Sequence, residues 1–187
     1  MQAFIGAGFD INAKGCVGRT ILHEALRGGV QMVTYLLQEA GGEKLVNTGD
    51  DFYHTPLHFV ACSFLVRYER RILTKLLLQH GADIQASDIY GNTPANIAAR
   101  VGDVDTMRVL IAAGIDFLAR GSFGSTILHD AVHNRKGMLE YLLRQGRMRK
   151  IIYVEDVSGN TPLDLAVLPR ARKALKRVVE LGDNTKA

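Results

Sequence analysis

The chain has 187 residues, 47% of them hydrophobic, with 23 Lys and Arg against 19 Asp and Glu and a formal charge of +4. That length fits about one domain able to bury a core; no run reaches the roughly 18–20 apolar residues that span a bilayer as a helix, and Met1 to Gly15 lacks the basic start and apolar block of an export signal. Cys16 and Cys62 stand at unmatched positions, so no disulfide is expected and an intracellular setting, cytoplasmic or nuclear, is the expectation.

The first eight residues read as the tail of a unit. Counting back from Thr20 by the spacing of the cleaner units lands on Gly8, so Gln2 to Gly8 is expected to be the last turn of a helix whose partner precedes the chain. This predicts apolar surface around Phe4, Ile5, Leu22 and Leu36 with nothing upstream to shield it, and hence an extension toward the N-terminus or a covering partner.

From there one short pattern recurs five times: Gly18-Arg-Thr-Ile-Leu-His-Glu-Ala25, Tyr53-His-Thr-Pro-Leu-His-Phe-Val60, Gly91-Asn-Thr-Pro-Ala-Asn-Ile-Ala98, Gly124-Ser-Thr-Ile-Leu-His-Asp-Ala131 and Gly159-Asn-Thr-Pro-Leu-Asp-Leu-Ala166. The threonines at 20, 55, 93, 126 and 161 are 35, 38, 33 and 35 residues apart, a period that marks stacked repeats. In the clearest unit, the glycine-flanked polar run 81–92 predicts a tight hairpin. Thr93 offers a capping hydroxyl and Pro94 a preset φ, so a helix starts there and breaks at Gly102-Asp103. Val104, Met107, Val109, Leu110 and Ile111 then space a second helix up to a left-handed Gly114. Gly41, Gly81 and Gly146 align as the corresponding stops, and the second unit carries about five extra residues within 62–72. The last segment, 171–181, places its apolar residues on one stripe and reads as a capping helix with a charged outer face, or else as a basic patch for phosphate or anionic lipid.

Thr55-Pro-Leu-His58, Gly81-Ala-Asp83 and Asp88-Ile-Tyr-Gly-Asn-Thr-Pro94 resemble the signature of the ankyrin-repeat family, and five copies in register cover nearly the whole chain. The resemblance implies a mainly α solenoid of stacked helix-turn-helix units with β-hairpin or loop fingers, about four to five repeats plus a partial N-terminal one. The expected division is a single domain over 1–187: a partial repeat end and finger at 1–17, repeats at 18–50, 51–88, 89–121 and 122–156, and a C-terminal capping repeat at 157–187. Departures are scattered: Ile21 and Ile127 replace Pro, Asn96 and Asp164 replace His, Val60 replaces the small alanine, and Tyr53 replaces the finger glycine. In the family the signature His hydrogen-bonds locally and ties neighbouring repeats together, the role implied for His23, His58 and His129. The rival is zinc, since His54 with His58 and His129 with His133 are each four apart, but no third ligand recurs at a fixed spacing. No metal and no cofactor is expected.

The family binds through finger tips and the exposed side of the first helices. Carried over by position, the tip pairs are Cys16/Val17, Asp51/Phe52, Ile89/Tyr90, Ser122/Phe123 and Val157/Ser158, and the helix positions include Arg27, Cys62, Arg100 and His133. Candidate partner-binding residues are therefore Val17, Arg27, Phe52, Ile89, Tyr90, Arg100, Phe123 and His133, with the aromatic tips as anchors and Arg27 and Arg100 suited to an acidic or mixed acidic and aromatic segment. Nucleophile-elbow, phosphate-loop and zinc-protease motifs are missing, so a non-catalytic protein-interaction module is expected, a segment of a longer protein, with no small-molecule substrate. The alternative is an anionic-ligand or nucleic-acid-associated module: between Arg144 and Arg177 nine basic residues stand against three acidic ones, while the remainder is near neutral, which makes nucleic acid the less expected partner. Asp10-Ile-Asn12 also resembles the finger asparagine sites that hydroxylases modify in this family, which would make the chain a substrate.

Overall fold

The computed structural model describes residues 10–62, 67–133 and 137–183. The expected helix at Gln2–Gly8, with Phe4 and Ile5, and residues 63–66 of the second-unit insertion lie outside them.

Nine α-helices are described. They are α1 (Ile21–Ala25), α2 (Val30–Gln38), α3 (Pro56–Cys62), α4 (Arg67–Gln79), α5 (Pro94–Val101), α6 (Val104–Ala112), α7 (Ile127–Val132), α8 (Met138–Leu143) and α9 (Pro169–Asp183). In the first four repeats they alternate as short first helices and longer or equal second helices. The first helices α3, α5 and α7 stack side by side, as do the second helices α2, α4 and α6, and α8 and α9 close the stack. Two helical layers thus share one core, the arrangement that the period and the repeated caps predict.

The repeated threonines set the first layer. Thr93, Thr20 and Thr126 each sit extended just before a helix, in a reciprocal capping arrangement with the residue three positions on, which engages the threonine's own N–H and reduces the number of unpaired N–H groups at the start of a short helix. Two residues after the threonine, Leu22, Leu57, Ala95 and Leu128 are buried; five residues after it, Ala25, Val60, Ala98 and Ala131 are buried where neighbouring helices approach. The second layer contributes Leu36, Leu37, Leu73, Leu77, Met107, Leu110, Leu139 and Leu142 to the same core, and α9 adds Ala171 and Leu175. Leu22 and Leu36 therefore do not form exposed apolar surface, contrary to the expectation: they are 0% and 1% accessible.

Three further details depart from the regular scheme. The second-unit insertion lengthens α4 to 13 residues, against 9 in α2 and α6. Gly146 does not end α8 in a left-handed conformation as Gly41, Gly81 and Gly114 do for their helices; it opens a 3₁₀ turn, Gly146–Lys150, on which α9 packs. The fifth repeat has no first helix. Pro162 to Ala166 closes only about one turn, with Leu165 N–H on the Thr161 carbonyl and Ala166 N–H on that of Leu163, because Pro169 pushes Leu168 away from the helical region and starts α9 itself.

The fingers are closed loops, and no strand occurs among the described residues. Each is shut by one backbone bond across four residues: Gly15 to Arg19, Asp50 to His54, Asp88 to Asn92, Gly121 to Ser125 and Asp156 to Asn160, all at 2.8–3.0 Å.

Candidate functional site

The fingers are held to the helices by the signature histidines. Nδ1 of His58 accepts from Thr55 N–H at 3.1 Å and faces Thr55 Oγ1 at 2.9 Å, so the ring proton sits on Nε2, which donates to the carbonyl of Asn92 at 3.0 Å. His23 makes the same pair of contacts with Thr20 and the carbonyl of His54, and His129 with Thr126 and the carbonyl of Asn160. Each imidazole thus caps its own helix and braces the base of the next finger. Burial pushes the imidazoles of His23 and His58 below their ordinary value. Both nitrogens of His58 and His129 are engaged, which leaves no lone pair for the zinc alternative at either pair. In the third repeat Asn96 keeps the cap on Thr93 but, being shorter, sends its amide to Asp130 at 2.9 Å instead of to a finger carbonyl.

Finger shape depends on whether the first residue has a carboxylate. In the Asp50, Asp88 and Asp156 fingers, Oδ1 accepts from the N–H groups two and four residues on, at 2.8–2.9 Å, and a single residue adopts positive φ: Tyr53 (60°), Gly91 or Gly159. The N–H groups of Asn160 and Ser158 hold the Asp156 carboxyl below the usual carboxylate range. In the two fingers that begin with glycine, two successive residues turn left-handed: Val17 (59°) with Gly18, and Phe123 (55°) with Gly124. A β-branched or aromatic residue at such φ is strained.

These loops line up a row of tips. Asp51 N–H bonds to the carbonyl of Val17, Ile89 N–H to that of Phe52 and Val157 N–H to that of Phe123, at 2.9–3.1 Å, so backbone bonds fix the spacing of the tip residues. Between the third and fourth fingers a side chain does this work. Asn92 Oδ1 accepts from Ser122 N–H at 3.0 Å, Ser122 Oγ at 2.9 Å and Arg100 Nη2 at 2.7 Å, in the space left by the missing side chain of Gly121. On this row Val17, Phe52, Ile89, Tyr90 and Phe123 are all exposed, Phe123 to 82% and Tyr90 to 63%. Two more apolar side chains join them: Tyr53, 63% exposed, and Val157, 71% exposed. Tyr53 was not among the expected binding residues; its signal was its occupation of a glycine slot.

The first-helix positions are less uniform. Arg27 is exposed on the 3₁₀ turn after α1, and His133 is exposed at the end of α7. Arg100 is committed within the stack: besides Asn92, its Nε lies 3.1 Å from Asp130 Oδ1, an ion pair that links α5 to α7. Arg19 places its guanidinium over the Phe59 ring at 4.7 Å and faces Glu24 at 3.7 Å, a mixed charged and aromatic spot that periodicity could not reveal. His54 stands between two buried finger carboxylates, 3.4 Å from Asp50 and 3.6 Å from Asp88.

Comparison with known proteins agrees with this architecture. A sequence model described as ankyrin repeats (three copies) matches residues 1–88 and 42–121. Among curated proteins, the chain is 30% identical over 148 residues to the Caenorhabditis elegans homolog of transient receptor potential cation channel subfamily A member 1, covering 79% of this chain and 11% of that one. It is 29% identical over 164 residues to human SH3 and multiple ankyrin repeat domains protein 2 (87% of this chain, 8% of that one), and 30% identical over 178 residues to the Drosophila melanogaster neurogenic locus Notch protein (94% and 5%). The chain thus spans about a tenth or less of the length of these relatives. With the signature repeats, the braced fingers and a family match over well more than half of its length, the chain belongs to the ankyrin-repeat family.

Proposed function

We propose that this chain is a non-catalytic protein-interaction module, an adaptor or scaffold segment of a longer protein, that holds its partner on the finger tips and the exposed first-helix face. The observation that carries this reading is the tip row: Val17, Phe52, Tyr53, Ile89, Tyr90, Phe123 and Val157 are exposed apolar side chains on loops whose spacing is fixed by hydrogen bonds. Rigid aromatic anchors lose little entropy on binding and are enriched at interface centres. Arg27 and His133 flank the row from the first-helix side, and Arg100 contributes its exposed edge while Asp130 and Asn92 hold it, so an acidic or mixed acidic and aromatic segment fits the charge. Two free, exposed cysteines suit a reducing intracellular setting, cytoplasmic or nuclear.

Capture of partners from native lysate by the wild-type chain and by a Tyr90→Ala/Phe123→Ala variant tests the reading. Loss of specific partners at an unchanged melting temperature supports it. An identical set of captured proteins removes the tips from the interface.

A further inference from the structure

Helix α9 carries a second surface. Pro169, Arg172, Lys173, Lys176, Arg177 and Glu180 fall at steps of three and four residues and together line one shallow trough on its outer side. The opposite side is used up by the solenoid: Ala171 and Leu175 are buried, and Ala174, Val178 and Val179 are half-buried. Four cations occupy two adjacent turns, and like charges so placed destabilise a helix. Four other arginines meet carboxylates: Arg19 with Glu24, Arg70 with Asp103, Arg100 with Asp130 and, on α9 itself but off this stripe, Arg170 with Glu140. None of Arg172, Lys173, Lys176 and Arg177 lies within ion-pair distance of a carboxylate among the described residues; Asp164 feels the charge of Arg172 only at longer range. Glu180 is the acidic residue at the end of this stripe; a helix that merely capped the stack would be more stable with carboxylates between the four cations as well.

We propose that this stripe docks the C-terminal end of the solenoid onto an anionic phospholipid surface. The residues lining the stripe include no aromatic or branched aliphatic side chain, its apolar part being Pro169 and the stems of the long side chains, whereas protein interfaces deplete charge at their core and concentrate aromatic and aliphatic side chains there. Its four cations also share one open face of a single 15-residue helix, so they can meet a plane together, whereas a curved duplex would meet fewer of them at once. Because Ala171, Leu175, Ala174, Val178 and Val179 face the core, none of these apolar side chains is left to insert among acyl chains. Binding is therefore electrostatic and reversible, and it is independent of the finger tips.

The test is co-sedimentation of the chain with phosphatidylcholine vesicles with and without phosphatidylserine, at low salt. Binding is expected only where phosphatidylserine is present. It should weaken roughly thirtyfold in Lys173→Gln/Lys176→Gln, the loss of two surface cations, and vanish at about 0.5 M salt, where screening shortens the reach of charge to a few ångströms. An Arg172→Gln/Arg177→Gln pair should do the same, and Phe123→Ala should bind vesicles like wild type; circular dichroism confirms that each variant folds. Failure to bind anionic vesicles at low salt overturns the proposal, as does undiminished binding by both variant pairs. Tighter retention on duplex nucleic acid or on an acidic protein than on vesicles at the same salt also overturns it.

Discussion

His58 Nε2 donates to the carbonyl oxygen of Asn92 across 34 residues of chain, at 3.0 Å, while Nδ1 of the same ring caps its own helix through Thr55. One side chain thereby fastens the second repeat to the third, and both of its ends are buried. His58→Ala leaves the Thr55 N–H without its partner and the Asn92 carbonyl with the Asp88 N–H alone, and should destabilise the fold by about 2 kcal/mol. His58→Asn, which copies Asn96, should restore the cap but not the reach and cost about half as much. Urea unfolding of the two variants separates the local contribution from the one between repeats.

Acid should weaken the same braces. The folded-state values of His23 and His58 are depressed by burial, so the unfolded chain binds protons more readily than the folded one. Their contribution is complete above the ordinary imidazole value of about 6.5 and is lost as pH falls from there through the lowered folded values. Melting temperature should accordingly drop between about pH 7 and pH 5, and a His23→Asn/His58→Asn variant, though less stable at neutral pH, should lose less over that interval. An equal slope in wild type and variant would show that other groups govern the acid response.

The repeat architecture was legible because its determinants are local: a capping threonine recurs at all five units, with a proline at the first helical turn in three of them and an alanine five positions on in four. What escaped depends on residues distant in sequence or on a change of local competition. Arg100 reads as a free surface cation until Asp130 is brought beside it from the next repeat and Asn92 from the finger of its own. The missing helix after Thr161 follows from Pro169, which ends one helical run and opens the next; the matching signature gave no hint of it. Tip identity was visible in Phe52, Tyr90 and Phe123, but tip conformation turned on whether a finger starts with Asp or Gly.

Asn92 gives a sharper test of how the third and fourth fingers are joined. Its Nδ2 donates to Asp88 Oδ2 at 3.0 Å while its Oδ1 gathers Ser122 and Arg100. Asn92→Asp keeps the acceptor and replaces the donor with a carboxylate facing Asp88. It should cost about 3 kcal/mol at neutral pH. The new pair titrates with one carboxyl raised in the folded state. Relative to wild type, stability should therefore recover as pH falls through that raised value and be fully regained below the ordinary carboxylate range. Chemical unfolding at neutral and acidic pH reads out the difference.

The fingers also predict a contrast between two glycines at positive φ. A Cβ on Gly18 would meet the carboxylate of Asp51 and lie 2.9 Å from Asp51 N, whereas a Cβ on Gly159 meets nothing within 4 Å. Gly159→Ala should cost only the left-handed penalty, about 1 kcal/mol, while Gly18→Ala adds the clash with the next finger and should cost at least twice that. Equal losses in thermal melts would mean that the first two fingers are not held at the spacing described.

Phe123 combines a left-handed φ of 55° with 82% exposure, so its ring returns little packing energy for the conformational strain it imposes. Replacing it separates fold from function. Phe123→Gly removes the strain at the cost of added freedom in the unfolded chain, and should leave stability unchanged or raise it by up to about 1 kcal/mol. If the ring is an interface anchor, the same substitution should lower partner affinity by at least tenfold, the range of about 1.4 kcal/mol or more that a buried aromatic anchor supplies. Phe123→Leu keeps an apolar tip and should fall between the two. Calorimetric melts and a binding titration with a captured partner measure both effects, and a variant that gains stability without losing affinity would show that strain at this tip serves no contact.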